Sequence, residues 1–354
     1  MKKNEIRRES VLVKLVDDYV QTCEPVSSKK ICEKYIKNIS PATIRIDLNK
    51  LERENYIYQQ HTSSGRIPTI KGYRKYLKLI KGNYLSLSDE TADTLRDILI
   101  KNYDDINLAL QYIMQLLAKE TDQLSFVAEP EISYGYLKKI DVFRIGKGKL
   151  LFVVSLDSGL DKTVILNPDY DISEQQLKVI VRYVNEEFAG LRIFDIQNKF
   201  LEELYQKQKS ENKLIVYFLN ELRKAFIEIS SYYIHFDGSI NFLEQPEFSD
   251  NRSILTFLNF IQRQDRIIQL MQNGEPNTEP KVIMGEELGR PNLAEYSMIY
   301  AKYSVFGVPG YLGIVGPLRM NYKKNFQLVK EFTEIITKTT EKGVVVRNYG
   351  KKRS

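Results

Sequence analysis

The chain is poor in the residues most enzymes and secreted scaffolds depend on: two cysteines, two histidines and no tryptophan. Cys23 and Cys32 are too few for a disulfide framework and fit a reducing compartment. Cys32, which follows Ile31, reads as a small core residue. His61 and His235 leave few candidates for a metal cluster or a catalytic triad, and no Cys/His ligand spacing, P-loop or nucleophile elbow occurs. The purely apolar runs are short, as at 150–154, far below the roughly 20 residues of a membrane span. The first residues are charged (Lys2, Lys3, Glu5, Arg7, Arg8) and lack the apolar segment of a secretory signal. The expectation is a cytoplasmic protein that is no enzyme, holds no metal or cofactor and does not enter a membrane.

What is present is an uneven distribution of charge. A chain of 354 residues, 43% hydrophobic and 28% charged, has the composition of a globular protein and a length that implies two or three domains. Residues 1–80 carry 17 Lys/Arg against 9 Asp/Glu, while the other 274 carry 35 against 37. A positive excess confined to one terminal segment suits a polyanion partner, or is only a solvated basic surface.

That segment has a readable order. Val11, Leu12, Leu15, Val16, Tyr19 and Val20 form one stripe of an amphipathic helix. After Pro25, either Ser27 or Ser28 caps a short helix ending near Tyr35. Ser40 and Pro41 have the side chains for an N-cap and a first helical position, which predicts a third helix to about Glu54. Ile44, Leu48 and Leu51 then lie on its buried face. Helix, helix, short turn, helix is the helix-turn-helix order.

The opposite face of the third helix holds Ala42, Arg45, Ile46, Asn49, Lys50 and Arg53. Arginine pairs with guanine O6/N7, asparagine with adenine N6/N7, and an apolar group meets a thymine methyl. Lys50 and Arg53 suit phosphates, as do Ser40, Thr43 and the free N–H groups at the helix start. Ser28 and Lys29 on the second helix are further candidates. The competing reading of this face is an ordinary mixed-charge surface. Residues 56–61 then read as a strand, 62–65 as a turn and 66–68 as the return. Such a hairpin would be the wing of a winged helix. His61, Ser63, Ser64, Gly65 and Arg66 would approach the minor groove or phosphates, with Gly65 at a positive φ. Lys71, Arg74, Lys75 and Lys78 lie along a closing helix.

These residues carry a resemblance. Pro25 to Lys29, Ser40-Pro-Ala-Thr-Ile-Arg45, Leu51-Glu52, His61 to Thr69 and Gly72-Tyr-Arg74, with Gly316-Pro-Leu-Arg-Met320 and Tyr322 far downstream, resemble the HrcA family of heat-inducible transcription repressors. Ile46 stands where that family commonly has asparagine, and Leu318 where a small hydroxyl residue is usual. The resemblance implies a dimeric repressor that binds double-stranded operator DNA, an inverted repeat upstream of chaperone genes. It also implies that the chaperonin keeps the repressor active and that heat diverts it.

Beyond the head, helices are expected at about 89–102 and 105–121, linking head to body. A hairpin at 138–145 and 150–156 flanks Gly146-Lys-Gly-Lys149, whose Gly-x-Gly reads as a tight turn and not a nucleotide loop. A strand at 162–166 precedes Ser173 and Gln176, a capping box opening a helix with Leu177, Val181, Val184 and Phe188 inside. Strands resume at about 281–286, 295–304 and 311–315, before a helix over 321–341. This order suggests one α+β sheet interrupted by an insertion. The resemblance makes the sheet GAF-like and the insertion a dimerisation element. Ile215, Leu219, Leu222, Phe226 and Ile229, and again Ile254, Leu258, Ile261, Ile268 and Met271, follow a heptad rule that suits a helical interface or intradomain packing. The expected division is 1–82 winged helix-turn-helix, 83–205 and 279–345 GAF-like, 206–278 mainly helical dimerisation insertion, and 346–354 a basic tail. A ligand-sensing regulator with a small molecule in the GAF-like domain is the alternative. An RNA-binding protein is a third reading, but the aromatic platform it would need is missing.

Overall fold

The structure, a computed structural model, describes residues 3–36, 39–60, 65–82, 84–103, 105–168, 172–207, 213–229, 233–248, 251–273, 279–289 and 293–351. Residues 3–82 form a head of helices and one hairpin. Helix α1 (Lys3–Thr22) buries Val11, Leu12, Leu15 and Val16. Helix α2 (Ser28–Lys34) is capped by Ser27, whose hydroxyl accepts from the Lys30 N–H, so Ser28 is the first helical residue. Helix α3 (Pro41–Arg53) starts on Ser40, which accepts from the Thr43 N–H, and buries Ile44, Leu48 and Leu51. Strands β1 (Ile57–Gln59) and β2 (Arg66–Pro68) pair antiparallel, with Gln59 opposite Arg66. Helix α4 (Ile70–Ile80) closes the head, its first turn capped by Thr69.

In the body, helices α5 (Asp89–Lys101) and α6 (Ile106–Thr121) lead into β3 (Leu124–Ala128). The chain next forms β4 (Leu137–Gly146), β5 (Lys149–Leu156), β6 (Asp161–Leu166), α7 (Glu174–Phe188), α8 (Ile193–Lys207) and α9 (Lys213–Ile229). It continues through β7 (Ile234–Asp237), α10 (Ser239–Leu243), α11 (Asn251–Ile261) and α12 (Gln264–Gln272). Strands β8 (Lys281–Met284), β9 (Tyr296–Val305) and β10 (Val308–Pro317) precede the long α13 (Tyr322–Lys351).

These strands make two sheets, which corrects the expectation of a single interrupted one. The main sheet is antiparallel in the order β7-β3-β10-β9-β8, and among the described residues β4-β5-β6 form a separate three-stranded sheet. The main sheet is buried on both faces. On β9, Ile299, Ala301 and Tyr303 pack into the core shared with α5, α6 and α13. Their neighbours Met298 and Tyr300 face Phe242, Phe257, Phe260, Ile267 and Met271 of α10–α12, as the two-residue period of a strand requires.

The boundaries expected at 206 and 278 therefore do not hold. β7 is an edge strand of the main sheet and α10–α12 cover one of its faces. The excursion from the sheet is 129–232, made of β4–β6 backed by α7–α9. Likewise α5 and α6 are layers on α13 and β3, not a linker. Helix α13 runs through the expected end at 341 to Lys351.

Candidate nucleic-acid interface

Ala42, Arg45, Ile46, Asn49, Lys50 and Arg53 are all exposed, on the side of α3 away from Ile44, Leu48 and Leu51. Ile46 is 68% exposed, an unusual position for a branched apolar side chain. Arg45, Lys50 and Arg53 have no ion-pair partner among the described residues. By contrast Arg7, Arg8, Lys30, Lys34, Arg66 and Lys75 of the head are each paired with a carboxylate. Arg7 from α1 reaches Asp47 on the hidden side of α3 with two bonds, 2.6 and 3.1 Å, which fixes the helix without using its outer face. Ser40 and Thr43 share a hydroxyl–hydroxyl contact of 2.9 Å at the start of α3. Lys29 is exposed, with Glu33 3.9 Å away.

The hairpin is held differently from the sequence expectation. His61, Ser63 and Ser64 lie outside the described residues. Gly65 is not among the glycines with positive φ. Its requirement is steric: a Cβ there would stand 2.5 Å from the Pro25 carbonyl carbon and oxygen and 2.6 Å from the Val26 carbonyl carbon. Next to it, Arg66 exchanges two backbone hydrogen bonds of 2.9 Å with Val26. Its guanidinium donates to Glu52 at 3.1 Å and to Asn49 Oδ1 at 2.7 Å. With its side chain only 12% exposed, Arg66 is a structural tie between hairpin and α3, not a free cation at the tip. Gly65→Ala is expected to force the two backbones apart and lower stability by about 1–3 kcal/mol. A urea midpoint equal to that of the unaltered chain would show that the segment moves aside without cost.

Two sequence motifs far apart meet where the head sits on the body. The Tyr73 ring of α4 lies 5.7 Å from that of Tyr322 at the start of α13, whose hydroxyl donates to the Leu318 carbonyl at 2.8 Å. Arg319 pairs with Glu247 beside Cys23, and Lys323 reaches Asp17 at 2.7 Å. Asp17 also accepts from the Tyr76 hydroxyl at 2.7 Å. Burial, then this carboxylate, pushes the hydroxyl's pKa far up, so it remains a donor. The tie between Asp17 and Lys323 was not visible in sequence, because the two are 306 residues apart.

The expected dimer seam is corrected. Leu219, Leu222 and Phe226 are fully buried within the chain. They belong to the core that α8 and α9 share with β5: Phe226 lies 5.7 Å from Phe200, and Phe218 6.0 Å from Phe152. The side chains of Ile215 and Ile229 are outside the described residues. The uncovered face of β4–β6 carries Phe143, Leu151 and Ile165 in one cross-strand row, with Phe143 and Ile165 exposed. A cleft of about 140 Å³ lies between Asp105, Asn107, Pro130, Asp161, Lys162 and Phe306. That is small beside the roughly 300–1,000 Å³ of typical ligand pockets. Among the described residues no group of three or more His, Cys, Asp or Glu side chains could hold a metal ion, and no helix is long and apolar enough to cross a membrane.

Known proteins share both sequence and fold with this chain. The family model described as HrcA protein C terminal domain matches residues 107–325. The heat-inducible transcription repressor HrcA of Natranaerobius thermophilus is 30% identical over 95% of this chain and 97% of its own length. That of Pelotomaculum thermopropionicum is 29% identical over 98% and 99%. A crystal structure of a hypothetical protein at 2.2 Å resolution, 23% identical, covers 94% of this chain and 98% of its own with a TM-score of 0.59, which shows the same fold. The chain belongs to the HrcA family of heat-inducible transcription repressors.

Proposed function

We propose that the chain represses heat-shock gene transcription by binding an inverted-repeat operator as a homodimer, with residues 3–82 acting as a winged helix-turn-helix. In this reading α3 enters the major groove and the β1–β2 hairpin is the wing. The observation that carries it is the outer face of α3: three cations with no ion-pair partner among the described residues flank an exposed Ile46 and Asn49, whereas Arg7, Arg8, Lys30, Lys34, Arg66 and Lys75 of the head are tied to carboxylates. Arg45 reads bases, while Lys50 and Arg53 hold phosphates. Arg45→Ala should cost about 1–3 kcal/mol on the operator and relax preference at one base pair. Lys50→Ala should weaken all duplexes alike and reduce the salt slope by about one. Equal loss on operator and random DNA for Arg45→Ala would refute the assignment, and footprints on the host's chaperone promoters would locate the operator.

A second copy of the chain is supported by the row Phe143, Leu151 and Ile165 on the open sheet of the excursion. A two-fold dimer built on this face would match half-sites spaced by whole helical turns of about 34–36 Å. The main sheet with its helical layers is the GAF-like domain of this reading. The chaperonin, as the family resemblance implies, would sustain the active form in the cytoplasm.

A further inference from the structure

We propose that Arg66 is a positioning residue that decides which base edge Asn49 reads, an inference resting on α3 being the recognition helix. The guanidinium is fixed on two sides. Its Nε donates to Glu52 Oε2 at 3.1 Å and its Nη2 to Asn49 Oδ1 at 2.7 Å, while the backbone on which it sits is pinned to Val26. Glu52 balances its charge, and little of the side chain reaches solvent, so it offers nothing to a phosphate.

The consequence lies in the amide of Asn49. A guanidinium has only donors, so the end of the amide facing Arg66 must be the oxygen. The Nδ2 group, on the other side of the amide carbon, is then turned toward the exposed surface of α3. Pairing of asparagine with adenine uses both ends, Oδ1 accepting from N6–H and Nδ2 donating to N7. Turned by Arg66, Asn49 presents donors, which match guanine, whose O6 and N7 both accept, or thymine O4, whereas adenine offers its N7 acceptor only beside an N6 amino group that itself donates. The usual asparagine–adenine match is disfavoured here by a residue that never touches DNA. Glu52, Asn49 and Arg66 thus act as one unit in which the wing strand adjusts the chemistry of the recognition helix.

The test is selection from a randomised duplex library with the full-length chain, followed by competition binding of single-base variants. Asn49→Ala should flatten preference at one base pair, and there the unaltered protein should favour guanine or thymine over adenine by about tenfold. Asn49→Asp keeps an acceptor for Arg66 but loses both donors, and should move the preference to cytosine, whose N4 amino group donates. Arg66→Met frees the amide to turn, so adenine should rise to near parity with guanine at that pair alone. Glu52→Gln retains an oxygen for Arg66 and should leave the preference in place. Adenine preferred by the unaltered chain, no base pair altered by Asn49→Ala, or Asn49→Asp without a gain for cytosine would each overturn the proposal. So would Arg66→Met weakening every duplex by one factor, the mark of a phosphate contact. If Arg66→Met fails to fold, the Asn49→Asp result decides. An unaltered chain with no preference among duplexes would instead overturn the recognition-helix reading itself.

Discussion

Leu222→Glu with Phe226→Glu is expected to unfold the excursion 129–232 and not to yield a folded monomer. Both side chains are fully buried, on the face of α9 that meets α8 and the three-stranded sheet. Phe226 stacks toward Phe200, which itself lies 4.5 Å from Phe188 of α7. Truncating a buried Leu or Phe costs about 2–5 kcal/mol each, and two carboxylates placed in apolar surroundings add several more unless they take up protons. The total is on the order of a whole domain's stability, about 5–15 kcal/mol. Circular dichroism should lose the helical signal of α7–α9, and limited proteolysis should cut within the excursion. Phe143→Glu with Ile165→Glu is the contrast, because these side chains are 54% and 52% exposed on the opposite side of the same sheet. That pair should fold, and, with the dimer face proposed above, sedimentation should report monomers where the unaltered chain is expected to run as a dimer. A Leu222→Glu, Phe226→Glu chain with native helicity and protease resistance would refute the burial argument.

The same residues show what could be read in the sequence and what could not. A 4-3-4-3 spacing says that one face of a helix is covered, and Leu219, Leu222 and Phe226 are covered. It does not say by what: an intrachain sheet and a second copy demand the same pattern. The head was legible because its signals are local. Ser40 and Pro41 mark a helix start within two residues, and Ile44, Leu48 and Leu51 repeat within one helix. Strands β3 and β7, five and four residues long, are too short for a period to emerge, and their pairing partners are distant in sequence. Gly65 illustrates the middle case. Glycine was visibly required, but the cause is the Pro25 backbone, some forty positions earlier, and not a turn's positive φ. Arg66 read as a DNA contact because arginine beside a hairpin tip suits a phosphate, whereas Glu52 and Asn49 were there to hold it. The distant motifs around Tyr73 and Tyr322 were both recognisable, yet only the fold reveals that they are one contact.

Lys30→Met with Lys34→Met is expected to reverse the head's response to acid. Asp18 of α1 has a fully buried carboxylate that forms an ion pair with the Lys30 ammonium at 2.7 Å and accepts from Lys34 at 2.9 Å and the Tyr35 hydroxyl at 3.0 Å. Burial alone would raise its pKa, but the interactions with Lys30, Lys34 and Tyr35 outweigh it and hold the group below the ordinary carboxylate value. A folded pKa below the unfolded one, about 3.9, means that the unfolded chain takes up the proton first. This stabilisation is therefore complete above about pH 4 to 5 and is lost as pH falls through the folded pKa. With both ammonium groups gone, burial remains and only the Tyr35 hydroxyl opposes it, so the carboxyl should titrate above its unfolded value. The native state then takes up the proton first, and the variant should gain stability relative to the unaltered chain as pH drops from about 7 toward 5. At neutral pH the stranded carboxylate should cost about 3–5 kcal/mol, read as a lower urea midpoint of the full-length protein. Adding Asp18→Asn removes the charge and should restore most of that midpoint at neutral pH while abolishing the gain in acid. A loss equal at every pH and untouched by Asp18→Asn would mean that Lys30 and Lys34 act through the packing of their methylene stems and not through charge.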